Sequence, residues 1–385
     1  MKAAMQYWFH PVGGCILCRY ETLKRGLAMS VDHLSDLSPE SSRPARTSAE
    51  NHRAALAIAR RHMGHVAWPT VFVSLGSLAG LAVSSAAALT GLWPMWVAMF
   101  VNGYLLLMQF MAVHDGIHDG ICGDNKRFKW LNDLLAWIGG ILTLIPYRGY
   151  DVMHLAHHRY TNDFERDPDT WCAGRNPLFL VLRFFTQTPH YVYMMTRMGM
   201  WKDKALRRPY LIAGAHHFTA WSLLAVGFVY GFGVEMAMLW IAPTFLNVAL
   251  IGLIFNYLPH RPHLSQERYT DSGVFLLPRA IHRLVTVLDM YQTYHLIHHL
   301  FPRIPFHRIG LAFHEMRPIL EAEGAAIHDW THAWDRKPAR GGATPVAGVA
   351  PGARTARAGG AAVAHGAQAA ARIYPLRTWG RKTWK

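Results

Sequence analysis

The chain has 385 residues, of which 51% are apolar, 16% charged and 12% aromatic; this is too apolar for a disordered polymer and poor in charge for a soluble one. Its net charge of +15 would by itself suit nucleic acid or an anionic membrane, so the placement of the charges must decide. Four cysteines do not make a disulfide framework.

The first 28 residues lack the sustained apolar core of a signal peptide. Cys15 and Cys18 form a lone CxxC, and His10-Pro-Val-Gly-Gly has no domain around it to make a haem loop. Ser30 to Ser48 reads as a flexible lead-in, and Glu50 to His62 as a short amphipathic helix carrying Arg53, Arg60 and Arg61 at a membrane surface. Residues 1–62 are therefore set apart as an extension.

Lys and Arg are absent from Val66 to Val113 and again from Pro209 to His260. Each gap holds two runs long enough to span a bilayer as helices: Ala67 to Leu89 with Trp93 to Val113, and Tyr210 to Tyr230 with Val234 to Tyr257. The connectors are so short that each pair must be a hairpin. All basic residues then lie on one side, which the positive-inside rule makes the cytoplasm. Positive charge is thus explained by topology and lipid headgroups, without nucleic acid. Trp130 to Ile145 is too short to span and reads as re-entrant or interfacial; Pro177 to Trp201 is interfacial, and Gly273 to Leu288 is a surface segment. Residues 63–325 form the membrane domain, and 326–385 a basic tail rich in Ala, Gly and Pro from Pro338 onward.

Twenty-four histidines are unevenly spread. His114 and His118 stand four apart where the second span ends. His154, His157 and His158 form HLAHH, and His295, His298 and His299 form HLIHH. Helical residues at i, i+3 and i+4 share a face, so each cluster aims imidazoles at one point. Asn256 and His260 repeat the spacing of four at the end of the last span. So many neutral nitrogen ligands exceed what one ion uses, which implies two metals. Zinc hydrolysis needs only three ligands per ion, whereas redox iron can activate dioxygen for attack on an unactivated C–H bond. The nearby carboxylates Asp115 and Asp169 are candidates to orient ligand rings, Asp115 because it adjoins His114; Asp163 and Asp167 read equally well as a solvated loop. His216 and His217, inside the third span, read as a polar contact between helices, and His263, His282, His307 and His314 as surface or supporting residues.

The order HxxxH, HxxHH and HxxHH, with the second pair of spans between the last two boxes, resembles the membrane fatty-acid desaturase superfamily from about Ala67 to Glu321. The strings Tyr257-Leu-Pro-His-Arg-Pro262, Tyr294-His-Leu-Ile-His-His-Leu300 and Asn162 to Asp169 are similar to the desaturase-like branch of beta-carotene 3-hydroxylases, with departures at Cys122 and His263. The resemblance implies an all-α integral membrane protein with four transmembrane helices as two hairpins and a cytoplasmic helical cap. It implies two iron ions on His114, His118, His154, His157, His158, His260, His295, His298 and His299, with Asn256 reaching one through water. It also implies O2 as co-substrate and electrons from an external donor such as ferredoxin, attracted to a basic face around Lys126, Arg148 and Arg159. The expected reaction is hydroxylation of a carotenoid ring, with fatty-acyl desaturation as the alternative and a non-redox protein with structural zinc as the second. The expected location is a bacterial inner membrane with both termini and the metal site cytoplasmic.

Overall fold

A computed structural model describes residues 47–331; the CxxC, the His10 string, most of the lead-in and the tail from Pro338 lie outside them. Uncharged apolar runs must satisfy their own backbone hydrogen bonds in hydrocarbon, and helices do so. In chain order the elements are α1 (Ser48–His62), α2 (Trp68–Leu89), α3 (Met95–Ile117), α4 (Lys129–Thr143), α5 (Tyr147–Tyr160), α6 (Pro177–Phe185), α7 (Gln187–Arg197), α8 (Arg207–Val229), α9 (Gly233–Tyr257), β1 (Val274–Leu276), α10 (Arg279–Leu288), α11 (His295–Leu300), α12 (Phe306–Ala322) and β2 (Ile327–Asp329). Helices α2, α3, α8 and α9 are long and apolar enough to cross a membrane.

Polar side chains pin α2 to α3 in opposite directions. Thr70 donates to Asp115 (2.9 Å), Ser74 to Gln109 (2.8 Å) and Asn102 to Ser85 (3.1 Å). Helix α3 is the centre of the molecule: Leu107, Phe110, Met111, Ala112 and Val113 are fully buried. Small residues let α4 approach it, since a Cβ added to Gly116 would stand 2.7 Å from the Ala136 Cβ. By contrast α8 leaves Phe218, Leu223, Phe228 and Val229 exposed, as a lipid-facing helix would.

Trp130 to Ile145 does not continue as a span. Leu144 adopts a left-handed conformation (φ 52°) and Pro146 opens the next helix, so α4 and α5 meet at 95°. The second span runs past Val113 to Ile117, which keeps His114 helical and leaves His118 at the cap. In α9 two wider turns, Ala237–Ile241 and Gly252–Tyr257, interrupt the regular helix, and the second carries Asn256. Such turns recur at functional sites.

The fold is mostly helical, as expected of an all-α membrane protein, with one short parallel ribbon of β1 and β2 in which Val274 faces Ile327 and Leu276 faces Asp329. The folded chain therefore passes residue 325, because Ile327 finds backbone partners on a distant segment. Helix α1 keeps Arg53, Arg60 and Arg61 exposed and seats its other side on the protein. Ala55 and Ala59, one turn apart, are fully buried in the cluster that holds Phe313, Met316 and Leu320 of α12. Asn51 donates to Glu323 (2.7 Å) and His62 pairs with Glu315 (2.8 Å).

Candidate metal centre

The last turn of α3, the helix α5, the start of the loop after α9 and the short helix α11 bring their histidines together. Two groups form. In the first, ligand atoms of His114, His118, His154 and His298 all lie within 4.8 Å of one another; in the second, those of His157, His260, His295 and His299 do. Nε2 of His154 is 3.0 Å from that of His118 and 3.1 Å from that of His158, which is 3.0 Å from that of His298. In the second group the successive Nε2 distances are 3.1 Å (His260–His295), 3.1 Å (His295–His299) and 3.2 Å (His299–His157). The ring of His158 stands 4.5 Å from that of His299, so the groups adjoin. All nine histidines singled out by spacing are in this assembly.

The tautomers follow from the oxygen acceptors behind the rings. Nδ1–H of His157 donates to Asp167 Oδ1 (2.9 Å), that of His260 to the Asp271 carbonyl (2.9 Å) and that of His295 to Gln292 Oε1 (2.6 Å). On His260 and His295 the Nε2 is then a lone pair, and the two face each other at 3.1 Å. Burial, joined by the charge of neighbouring rings, holds His154, His158, His260, His295, His298 and His299 well below the ordinary histidine range. Neutral imidazoles facing one another repel unless a cation lies between them. Both ring nitrogens of His114 are buried with no hydrogen-bond partner. Ligand nitrogens at bonds of about 2.1 Å stand about 3.0 Å apart when adjacent at right angles. The nitrogen sets therefore fit two metal ions.

The carboxylates differ from expectation in part. Asp167, which read equally well as a solvated residue, is buried; besides His157 it accepts the backbone N–H groups of Asn162 (2.8 Å) and Asp169 (2.9 Å). Asp169 Oδ2 stands 3.5 Å from His157 Nδ1, while its Oδ1 accepts from Tyr191. Burial works against charge on His157, but Asp167 and Asp169 outweigh it and raise its pKa to about 9. Asp163 is the surface member, paired with Arg166. Asp115 Oδ1 is 3.6 Å from His114 Nδ1, too far for a hydrogen bond; its role is to tie α3 to Thr70. Asn256 is buried with its amide nitrogen unpartnered but belongs to neither imidazole group.

Sequence reasoning missed Asp271, Gln292 and Tyr150. Gln292 and Tyr150 had a signal, lying three before His295 and four before His154 on helical spacing. Tyr150 stacks on His154 (5.3 Å between centroids, 22°) and also lines an apolar cavity with Ile145, Val192, Val248 and Ile251. His216 bonds to the backbone of Ile141, the helix contact expected of it. His263 is buried beside His260, and His282 pairs with the Tyr294 hydroxyl (2.8 Å).

A family model described as fatty acid desaturase matches residues 91–331, more than half of the chain and every candidate ligand. The chain belongs to the fatty acid desaturase family. Relatives of this desaturase-family chain include a chloroplastic omega-3 fatty acid desaturase of Brassica napus, 24% identical over 62% of this chain and 65% of that protein. A chloroplastic sn-2 acyl-lipid omega-3 desaturase (ferredoxin) of Arabidopsis thaliana is 24% identical over 62% and 59%. A fatty acid desaturase of Bacillus subtilis (strain 168) is 24% identical over 64% and 74%. The chain thus spans less than two thirds of either plant protein.

Proposed function

We propose that the protein is an integral-membrane oxidoreductase that uses two irons and O2 to desaturate the acyl chain of a lipid, with both imidazole groups at the cytoplasmic side of two helical hairpins. The observation that carries this reading is the pair of adjoining, buried imidazole groups beside an apolar cavity. His114, His118, His154, His158 and His298 would hold one iron, and His157, His260, His295 and His299 the other, with Asn256 reaching the second through water. Bound irons supply the oxygen-activating redox chemistry that side chains lack. A CH2–CH2 unit becomes CH=CH while O2, two electrons and two protons become two waters. Asp167, Gln292 and the Asp271 carbonyl keep the ligand rings oriented. Tyr150 and the aliphatic lining hold a chain beside the first group and away from water.

The names of the relatives favour an acyl chain over a carotenoid ring. Carotenoid hydroxylation is the second reading, supported by the strings around His260 and His295. One relative's name includes ferredoxin, and reduced ferredoxin is the proposed donor here. Of the basic residues expected to attract it, Lys126 and Arg159 are exposed, whereas Arg148 is largely buried against Tyr147. Expression in cells that make beta-carotene, with acyl lipids and pigments analysed together, tests the assignment. A new acyl double bond, lost on His298→Ala, is expected. New hydroxycarotenoids with unchanged acyl lipids would favour the second reading, and two zinc with no iron in protein from iron-replete cells would remove both.

A further inference from the structure

The apolar cavity beside Tyr150 contains polar groups that the centre does not use. Gln187, Thr188, Tyr191 and His217 share its lining. Tyr191 donates to Asp169, so its oxygen must accept from Gln187 Nε2 (3.2 Å), which fixes the orientation of the Gln187 amide. The other end of that amide, Oε1, is buried and has no hydrogen-bond partner among the described residues, in a residue only 3% exposed. It is an acceptor lacking a donor, a state that costs about 1–3 kcal/mol if nothing fills it.

His217 adds a second, independent group. It follows Arg207 in α8 by ten positions, which places it about 15 Å along the helix and near mid-bilayer. Its neighbour His216 is tied to α4, whereas His217 stacks on His216 (5.8 Å, 15°) and lines the cavity, with no hydrogen bond among the described residues. An imidazole at that depth is costly unless it serves a polar group.

We propose that this cavity receives a lipid whose membrane-buried part carries a hydroxyl group, which donates to Gln187 Oε1 and meets the imidazole of His217. A ketone would not serve, because Gln187 Oε1 needs a donor; a plain hydrocarbon leaves both groups unmet. The inference rests on the reading that the oxidised chain lies in this cavity and names the class of that chain.

The test uses the full chain, iron-loaded, in lipid discs. Phosphatidylcholines carrying a plain, a mid-chain hydroxy or a mid-chain keto octadecanoyl group are compared for binding by thermal shift and for conversion by product analysis. The hydroxy lipid is expected to bind about threefold to tenfold more tightly than the other two. His217→Leu and Gln187→Met should each shrink that advantage, and His217→Asn should restore part of it. Equal binding of all three lipids by the unaltered protein overturns the proposal without recourse to any variant, as does an advantage that survives both substitutions. Preferential binding of the hydroxy lipid with no conversion of any lipid would keep this site and remove the desaturase reading instead.

Discussion

Asp167 does for His157 what a main-chain carbonyl does for His260 and an amide for His295, but with a full negative charge. On the proposed reading, replacing it by Ala should leave His157 free to rotate and weaken metal binding at the second group about tenfold to hundredfold; chelator competition on the purified protein measures this, and binding at the first group should hold. Asp289 offers a separate check on the region leading into HLIHH. Its Oδ2 accepts from the Thr293 backbone (2.9 Å) while Oδ1 is buried without a partner, and burial raises its pKa from 3.8 to about 8. The folded chain therefore keeps a proton that the unfolded chain has released. Its contribution to stability is full below about pH 4 and is lost as pH rises to about 8. Asp289→Asn should flatten this part of the pH profile of thermal unfolding. The clustered histidines were legible because helical spacing is local. Asp167 was not separable from Asp163 by sequence, since its burial depends on Asn162 bonding to the carbonyls of Ser265 and Asp271, a hundred residues on.

Elements succeed or fail on the same division between near and far. The four spans were readable from uninterrupted apolar length, with ends shifted by a few residues, as where α3 runs past Val113 to Ile117. The break between α4 and α5 was foreshadowed by a run too short to cross. What could not be read was the ribbon of β1 and β2 or the seating of α1 on α12, because neither partner announces the other locally. Close packing of α3 on α4 yields a direct prediction: Gly116→Ala puts a methyl group 2.7 Å from the Ala136 Cβ and should destabilise the protein by about 1–3 kcal/mol. The unfolding temperature in detergent should fall, and Ala136→Gly in the same chain should restore part of the loss.

At the scale of the whole molecule, the two imidazole groups draw together segments from His114 to His299, so metal bound there, as proposed, would act as a cross-link. A cation that binds only the folded state stabilises it in proportion to the logarithm of its concentration over its dissociation constant. Stripping metal with a chelator should lower the unfolding temperature and expose amides of α5 and α11 to hydrogen exchange, while the central turns of α3 stay protected. Restored iron should reverse both; a chelated protein with an unchanged unfolding temperature would show that the imidazole groups carry no structural metal.

The spacing of those segments also orders events at the ribosome. Neither imidazole group is complete until HLIHH has left the exit tunnel, by which time every membrane span has already been made. On the proposed reading, iron would be captured in full only by a chain already threaded into the bilayer. Assembly of the centre would then be a late step of biogenesis, and a polypeptide truncated before His295 would insert yet never mature.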